Sequence, residues 1–183
     1  MVALVVIDAQ QEYFAPAGKV VLPGGPAAVG RIADALAWAR AQGLPVVHVV
    51  HESRKPGAAI FAPGSPALEV HPAARPVPGE PVVRKHLPGS FTGTKLEELL
   101  RAQAVERVIL AGFMTQMCVD TTAREAAHRG FQVTVLSDAT AAMAVKGPDG
   151  ETIPAEQVHR THLGSLSGFL ADVRPLAAVI EKT

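Results

Sequence analysis

Residues 106–118 read ERVILAGFMTQMC. This stretch decides the fold because a residue pattern typical of a strand is followed there by one typical of a helix. An apolar, β-branched run over 106–111, closed by Gly112, is typical of a short strand buried on both faces. From Cys118 onward, small and apolar residues recur at helical spacing, acidic residues come early, and His128-Arg129-Gly130 ends the run. This order of charges with a terminal glycine bounds a helix. The only cysteine of the chain is therefore predicted on the first turn of a helix that directly follows a strand.

The rest of the chain repeats this alternation of strand and helix in both directions. Apolar runs and helical periodicity predict strands over 2–7, 45–50, 81–84 and 131–136, helices over 26–42, 95–104 and 154–166, and a tail with a short strand and a last helix around Pro175–Glu181. Such units form a parallel sheet with helices on both faces, an α/β fold of three layers. With 183 residues, 48% of them hydrophobic, the chain suits a single domain over 1–183.

The composition favours a soluble cytoplasmic protein. Seventeen basic and seventeen acidic residues cancel, and no basic stripe or polybasic segment favours nucleic acid or an anionic membrane as a partner. The apolar run at 2–7 has no charged segment before it and is too short for a signal peptide, and no run approaches a membrane span. A single cysteine excludes an internal disulfide.

The predicted position of Cys118 has a chemical consequence. Unpaired N–H groups and the positive end of the helix dipole meet at the first turn of a helix, so a thiol there is expected to have a lowered pKa. The same N–H groups could hold a developing oxyanion. The alternative interpretation is that Cys118 is a small buried hydrophobic residue, which is a common role for a free cysteine.

Two further reactive side chains lie, like Cys118, at or just after the carboxyl end of a predicted strand. Asp8 ends the first predicted strand and Lys85 ends the third, so all three belong to the carboxyl edge of the sheet, where ligands bind in open parallel folds. A carboxylate can take the proton of a nucleophilic thiol, and an ammonium stabilises both anions. Each residue also has an ordinary explanation: Asp8 can cap a turn, and Lys85 can be solvated.

Four short motifs, in this order along the chain, carry a family resemblance. They are Ile7-Asp8-Ala9-Gln10 with Tyr13, Lys85 followed by Ser90-Phe91-Thr92-Gly93-Thr94, the run Gly112-Phe113-Met114-Thr115-Gln116-Met117-Cys118-Val119-Asp120-Thr121-Thr122-Ala123, and Ser137-Asp138-Ala139. On these residues the chain resembles the isochorismatase-like cysteine hydrolases, the superfamily that includes nicotinamidases and N-carbamoylsarcosine amidohydrolases. The resemblance covers residues 1 to about 166.

The resemblance implies a fold, a site and a reaction. It implies a six-stranded parallel α/β/α sandwich, a catalytic triad of Asp8, Lys85 and Cys118, and a cis peptide between Phe113 and Met114. It further implies an oxyanion hole formed by the N–H groups of Met114 and Cys118, hydrolysis through a thioester acyl-enzyme without a cofactor, and assembly as a homodimer or higher homo-oligomer.

Departures from the family pattern narrow the expected activity. Nicotinamidases carry a metal-binding Asp-x-His and a further His after the second strand, whereas this chain has His51-Glu52-Ser53-Arg54 there. We therefore expect no metal. Isochorismatases proper cleave a vinyl ether and lack the cysteine, so Cys118 favours cleavage of a C–N bond in an amide or carbamoyl compound. A vinyl-ether hydrolase and a non-catalytic small-molecule-binding protein are the alternatives.

The sequence also offers candidates for the substrate pocket and for regulation of access to it. The pocket candidates, chosen as aromatic or polar residues near the three reactive groups, are Gln10, Tyr13, Phe14, His51, Phe91 and Phe113. The Pro- and Gly-rich segment Arg54–Gly79 is expected to cover the site, since long loops in compact domains are usually functional. His159 and His162 lie three residues apart on one predicted helix, where a shared metal ion is the alternative to structural roles.

Overall fold

The computed structural model describes residues 1–181 and contains a six-stranded sheet in which every neighbouring pair of strands is parallel. The strand order is β3-β2-β1-β4-β5-β8, and a two-stranded antiparallel ribbon, β6-β7, lies apart from it. The strands are β1 (Val2–Ile7), β2 (Val46–His51), β3 (Val82–Lys85), β4 (Arg107–Phe113), β5 (Gln132–Ala141), β6 (Val145–Lys146), β7 (Thr152–Ile153) and β8 (Asp172–Arg174).

Helices cover both faces of the large sheet and complete the three-layer α/β/α sandwich that the sequence predicts. They are α1 (Gly25–Ala41), α2 (Leu96–Ala102), α3 (Asp120–His128), α4 (Ala155–Leu166) and α5 (Leu176–Ile180). Buried residues of α1 and α5 belong to one hydrophobic core, and buried residues of α2, α3 and α4 belong to a second core. The expected α/β sandwich architecture is therefore confirmed.

The central strand β1 shows why its sequence is a continuous apolar run. Leu4 and Val6 pack into the core beneath α1, whereas Ala3, Val5 and Ile7 pack into the core beneath α2 and α3. A strand that lies between two helix layers has no solvent face, so alternation of apolar and polar residues is lost.

Gly112 is required where β1 and β4 approach each other most closely. Its φ of +126° is a conformation that L side chains rarely adopt. A Cβ atom at this position would lie 1.9 Å from the carbonyl oxygen of Ile7, its partner on β1. The glycine therefore lets the end of β4 continue against β1 and sets the starting point of the turn that carries Cys118.

Two expectations about local structure are wrong. Cys118 does not begin an α-helix: it lies in a π-helical turn, Thr115–Val119, and α3 starts only at Asp120. The fifth strand does not end at 136, because beyond a register shift its last residues, Thr140 and Ala141, pair with Gly112 and Phe113.

One observation bears on membrane association. Within residues 1–181, no helix combines the length and the apolar character that crossing a bilayer requires.

Candidate active site

The carboxyl edge of the sheet brings Asp8, Lys85 and Cys118 together. Asp8 immediately follows β1, Lys85 is the last residue of β3, and Cys118 lies in the turn after β4. Lys85 stands in register with His51 on the intervening strand β2, and its long side chain reaches past that strand toward Asp8. The strand order therefore makes neighbours of groups that are more than 30 residues apart in sequence.

The ammonium group of Lys85 is the hub of this cluster. Its Nζ lies 2.8 Å from Oδ2 of Asp8, 3.2 Å from Sγ of Cys118 and 3.1 Å from the carbonyl oxygen of Leu87. Asp8 and Lys85 are fully buried, and Cys118 is 6% exposed. A cation that is paired and hydrogen-bonded in this way is tolerated in the interior.

Burial dominates the titration of the cluster. Burial raises the pKa of Asp8, and the Lys85 ammonium offsets only part of that effect. Burial, followed by the charge of Asp8, raises the pKa of Cys118 well above that of a free thiol. Burial would lower the pKa of Lys85, but the charges of Asp8 and Cys118 hold it above its ordinary value.

These directions correct the expectation that the helix start lowers the pKa of Cys118. One buried ammonium can neutralise one anion, so ionising both acids would leave an uncompensated negative charge in the interior. We infer that Asp8 and Cys118 hold one proton between them and titrate as a coupled pair. The resting site is then an ammonium, one anion and one neutral acid, with a proton poised to move between oxygen and sulfur.

The backbone and the side-chain partners of Asp8 are both unusual. Asp8 has a φ of +50°, in the left-handed region. Its Oδ2 forms the close ion pair with Lys85, and hydrogen bonds from Lys85 and Cys118 lower the pKa of the carboxyl group against the effect of burial. The carboxyl group therefore has the thiol of Cys118 among its partners.

The turn that carries the thiol follows a cis peptide between Phe113 and Met114. The Met114 carbonyl accepts hydrogen bonds from the N–H groups of Met117 and Val119, which wind the chain into the turn. Met114 and Cys118, the two residues whose N–H groups the family resemblance assigns to an oxyanion hole, thus lie at the start of this turn and within it.

Three of the predicted pocket residues form one aromatic group beside the triad. The ring of Phe113 lies 5.4 Å from that of Tyr13 and 5.7 Å from that of Phe14. All three rings are buried, and Phe113 is fully so. Tyr13 lies close enough to the triad for the charges of Asp8 and Cys118 to contribute, after burial, to raising its pKa.

His51 is the predicted pocket residue that lies nearest the triad cation. Its Nδ1 is 3.4 Å from Nζ of Lys85. Burial, with the positive charges of Lys85 and His86, lowers the pKa of His51 to about 4. His51 is therefore a neutral imidazole at physiological pH.

The other two predicted pocket residues serve the scaffold. The side chain of Gln10 donates to the carbonyl oxygens of His51 and Leu68 and accepts from the His51 N–H, so its amide is already used. The ring of Phe91 packs 5.8 Å from Phe131, which precedes β5 at the amino edge of the sheet, within the second hydrophobic core. Phe91 consequently does not join the group of Tyr13, Phe14 and Phe113, which belongs to the first core, although it shares the second core with Cys118.

Phe61 and Glu12 contribute to the surroundings of the site but are absent from the predicted pocket residues. Phe61, in the Pro- and Gly-rich segment Arg54–Gly79, makes edge contacts with the rings of Tyr13 (5.5 Å) and His51 (4.9 Å). The buried carboxylate of Glu12 accepts hydrogen bonds from the N–H groups of Phe61 and Lys19. The available signal was that Phe61 is the only Phe, Tyr or Trp in that segment.

His159 and His162 do not share a binding site. Nδ1 of His159 lies 2.9 Å from Oγ1 of Thr115, whereas Nδ1 of His162 lies 3.3 Å from Asp120, which also pairs with Arg124. Among residues 1–181, no three His, Cys, Asp or Glu side chains form a group that could hold a metal ion.

Comparisons with known proteins agree with this fold. The isochorismatase domain profile matches residues 2–173. The isochorismatase family protein YddQ of Bacillus subtilis is 36% identical over 179 residues, which cover 98% of each chain. The streptothricin hydrolase of Streptomyces noursei is 34% identical over 97% of this chain and 69% of its own, and the maleamate amidohydrolase of Pseudomonas putida is 34% identical over 74% and 70%.

Two solved structures superpose on the whole sandwich. A protein of Oleispira antarctica described as an isochorismatase hydrolase has a TM-score of 0.93 and 38% identity, with 98% of this chain and 96% of its own covered. A cysteine hydrolase of Pseudomonas syringae also has a TM-score of 0.93, with 29% identity over 99% and 91% of the two chains. The profile match over nearly the full length, together with these relatives, shows that the chain belongs to the isochorismatase family of hydrolases.

Proposed function

We propose that this hydrolase cleaves a C–N bond of a small amide or carbamoyl compound, with Cys118 as the nucleophile. The observation that carries the proposal is the contact of one buried ammonium, Lys85, with both the Asp8 carboxylate at 2.8 Å and the Cys118 sulfur at 3.2 Å. A thiol, a base within reach and a cation that stabilises anions at both are the components of nucleophilic acyl transfer.

The first half-reaction follows from the single proton shared by Asp8 and Cys118. As the sulfur attacks the carbonyl carbon, Asp8 takes the thiol proton and the carbonyl oxygen becomes an oxyanion. We assign the N–H groups of Met114 and Cys118 to that oxyanion. The C–N bond then breaks, the leaving nitrogen takes the proton from Asp8, and an amine or ammonia departs from a thioester.

The second half-reaction returns the site to its resting state. Asp8 accepts a proton from a water molecule as the water oxygen attacks the thioester carbon. The C–S bond breaks, the acid product leaves, and the proton on Asp8 returns to the sulfur of Cys118. Lys85 keeps its positive charge throughout and so limits the cost of each anion that forms beside it.

The names of two relatives support the choice of bond. Maleamate amidohydrolase is an amide-cleaving enzyme by name, and streptothricin hydrolase is by name a hydrolase of streptothricin. Both align with this chain at 34% identity, which supports a related reaction class and leaves the substrate of this protein to experiment.

A screen for released ammonia or amine over small amides, ureas and carbamoyl compounds tests the proposal. We expect turnover of at least one class, loss of that turnover in Cys118→Ala, and a covalent acyl adduct on Cys118 in the mass spectrum of the quenched enzyme. Amine or ammonia release that survives Cys118→Ala would overturn the nucleophile, and hydrolysis of a vinyl ether by that variant, without turnover of amides by wild type, would favour the vinyl-ether alternative. Ligand binding by both proteins, without turnover of any compound, would favour the non-catalytic alternative.

A further inference from the structure

A chain of hydrogen-bonding side chains ends at the first residue of the turn that carries Cys118. Oγ1 of Thr115 lies 3.0 Å from Oγ1 of Thr140 on β5 and 2.9 Å from Nδ1 of His159 on α4. Thr115 and Thr140 are buried, and His159 is half-buried. Three separate elements, β5, α4 and the π-helical turn, therefore meet at one hydroxyl group.

The chemistry of the partners suits a continuous chain of hydrogen bonds. Burial lowers the pKa of His159 and favours the neutral ring, while an interaction with the backbone of Ser137 works against that shift. A neutral imidazole has one donor and one acceptor nitrogen, so Nδ1 can bond to the Thr115 hydroxyl in either tautomer. A hydroxyl both donates and accepts, so Thr115 can bond to His159 and Thr140 at the same time.

We propose that His159 is a positioning residue for the nucleophile, which it orients by fixing Thr115 three residues before Cys118. Two side chains engage the same hydroxyl, so its rotation is restricted, and Thr115 has few alternative conformations. The effect passes through the turn to the sulfur, because the turn residues 115–119 are consecutive and begin at Thr115. The inference rests on the proposed function, in which Cys118 is the nucleophile.

His162 provides a matched control on the same helix. It lies one turn further along α4, and its Nδ1 is 3.3 Å from Oδ1 of Asp120. Asp120 is the first residue of α3 and follows the turn that carries Cys118. Both histidines connect α4 to neighbouring structure, so a general role in stability would make substitutions at the two positions similar. A positioning role predicts that only the residue bonded to Thr115 affects the nucleophile.

The test compares His159→Phe, His159→Asn and His162→Phe in the full chain. Phenylalanine keeps a ring and removes the hydrogen-bonding nitrogen, whereas asparagine can return an amide oxygen or nitrogen near the position of Nδ1. For His159→Phe we expect kcat to fall by roughly 10- to 100-fold with KM little changed, as for a misplaced catalytic group. His159→Asn should recover part of kcat, and His162→Phe should match wild type. Thr115→Val should reproduce His159→Phe.

The rate at which iodoacetamide alkylates Cys118 supplies a readout that needs no substrate. We expect this rate to change in His159→Phe and Thr115→Val and to stay at the wild-type value in His162→Phe, with folding checked by circular dichroism.

If wild type turns over and all variants match it in kcat and alkylation, the positioning role is wrong. If His159→Phe and His162→Phe lose kcat equally and each loss accompanies a similar fall in melting temperature, the role of His159 is structural and the inference is overturned. If wild type itself turns over no compound, the proposed function fails, and an unchanged alkylation rate in His159→Phe would separately refute the positioning role.

Discussion

Two ionic clusters lie on the same half of the sheet, and their carboxylates differ in burial and in pKa. The nucleophile cluster (Asp8, Lys85 and Cys118) lies at the carboxyl edge. The anchor cluster is formed by Arg40 at the end of α1, His48 on β2 and Glu80 before β3. Asp8 is fully buried, whereas the side chain of Glu80 is partly exposed and is surrounded by donors.

The donors around Glu80 explain why its carboxylate stays ionised. Nε and a terminal nitrogen of Arg40 donate at 2.8 and 2.9 Å, Nε2 of His48 lies at 2.8 Å, and the Val77 N–H donates at 3.0 Å. Burial would raise the pKa of Glu80, but these hydrogen bonds and the charge of Arg40 lower it to about 2.

Asp8 is fully buried, and burial raises its pKa more than the charge of Lys85 and the hydrogen bonds from Lys85 and Cys118 lower it. The difference teaches that burial and the set of donors together decide which protonation state a carboxylate keeps. A carboxylate with a lowered pKa holds structure together. One with a raised pKa exchanges a proton, which a hydrolytic cycle requires.

The largest effect is expected from Asp8→Asn, which removes the proton acceptor of the nucleophile cluster. Turnover of any substrate found should fall by about 10³-fold, because general-base assistance is lost. Alkylation of Cys118 by iodoacetamide at pH 7 should become faster, since the charge of Asp8 is one cause of the raised pKa of the thiol. Slower alkylation together with retained turnover would show that Asp8 does not accept the proton of the Cys118 thiol.

The next largest effect is expected from Lys85→Met, which leaves Asp8 without its cation. Removing one partner of a buried ion pair costs about 3–5 kcal/mol in the free energy of unfolding. The pKa of Asp8 is already raised in the folded protein, so the unfolded chain releases this proton at a lower pH. The free energy of unfolding should therefore fall as the pH rises above about 4. Urea unfolding at pH 5 and pH 8 checks this, and equal stability at both pH values would contradict it.

Glu80→Gln should weaken the anchor cluster without affecting chemistry. The pKa of Glu80 is about 2 in the folded protein and 4.5 by its ordinary value, a difference that corresponds to about 3 kcal/mol of stability above pH 5. That stability is lost as pH falls from 4.5 toward 2, so the variant and wild type should converge in acid. Unfolding curves from pH 7 to pH 2 measure the convergence, and a kcat reduced as much as in Asp8→Asn would contradict the separation of the two clusters.

The smallest effect is expected from His51→Phe at the border of the nucleophile cluster. Phenylalanine keeps a ring against Phe61 and removes the 3.4 Å contact with Lys85. We expect kcat/KM to fall by less than about 10-fold, since this contact is long for a hydrogen bond. Because the pKa of His51 is about 4, the pH profile between 6 and 8 should be unchanged. A change in that profile would assign His51 a role in proton transfer.

The sequence predicted which reactive residues meet at the candidate site better than it predicted their surroundings. Asp8 and Lys85 end apolar runs and Cys118 follows one, so strand position alone puts them at one edge of a parallel sheet. Phe91 carried the same aromatic signal as Phe113, yet it packs in the opposite core. Phe61 lies in a segment without periodicity, and its being the one aromatic residue there does not indicate which rings it contacts.

The amino-acid sequence by itself determined the order of strands and helices, the sandwich and the three reactive residues, because these depend on local periodicity and on the kind of residue that ends each strand. Tertiary structure decided the rest. The titration of Asp8 and Cys118 depends on burial and on distances across several strands, and the bond from His159 to Thr115 joins elements 44 residues apart. Energies of this kind arise from atoms that only folding brings into contact, so no local stretch of sequence contains them.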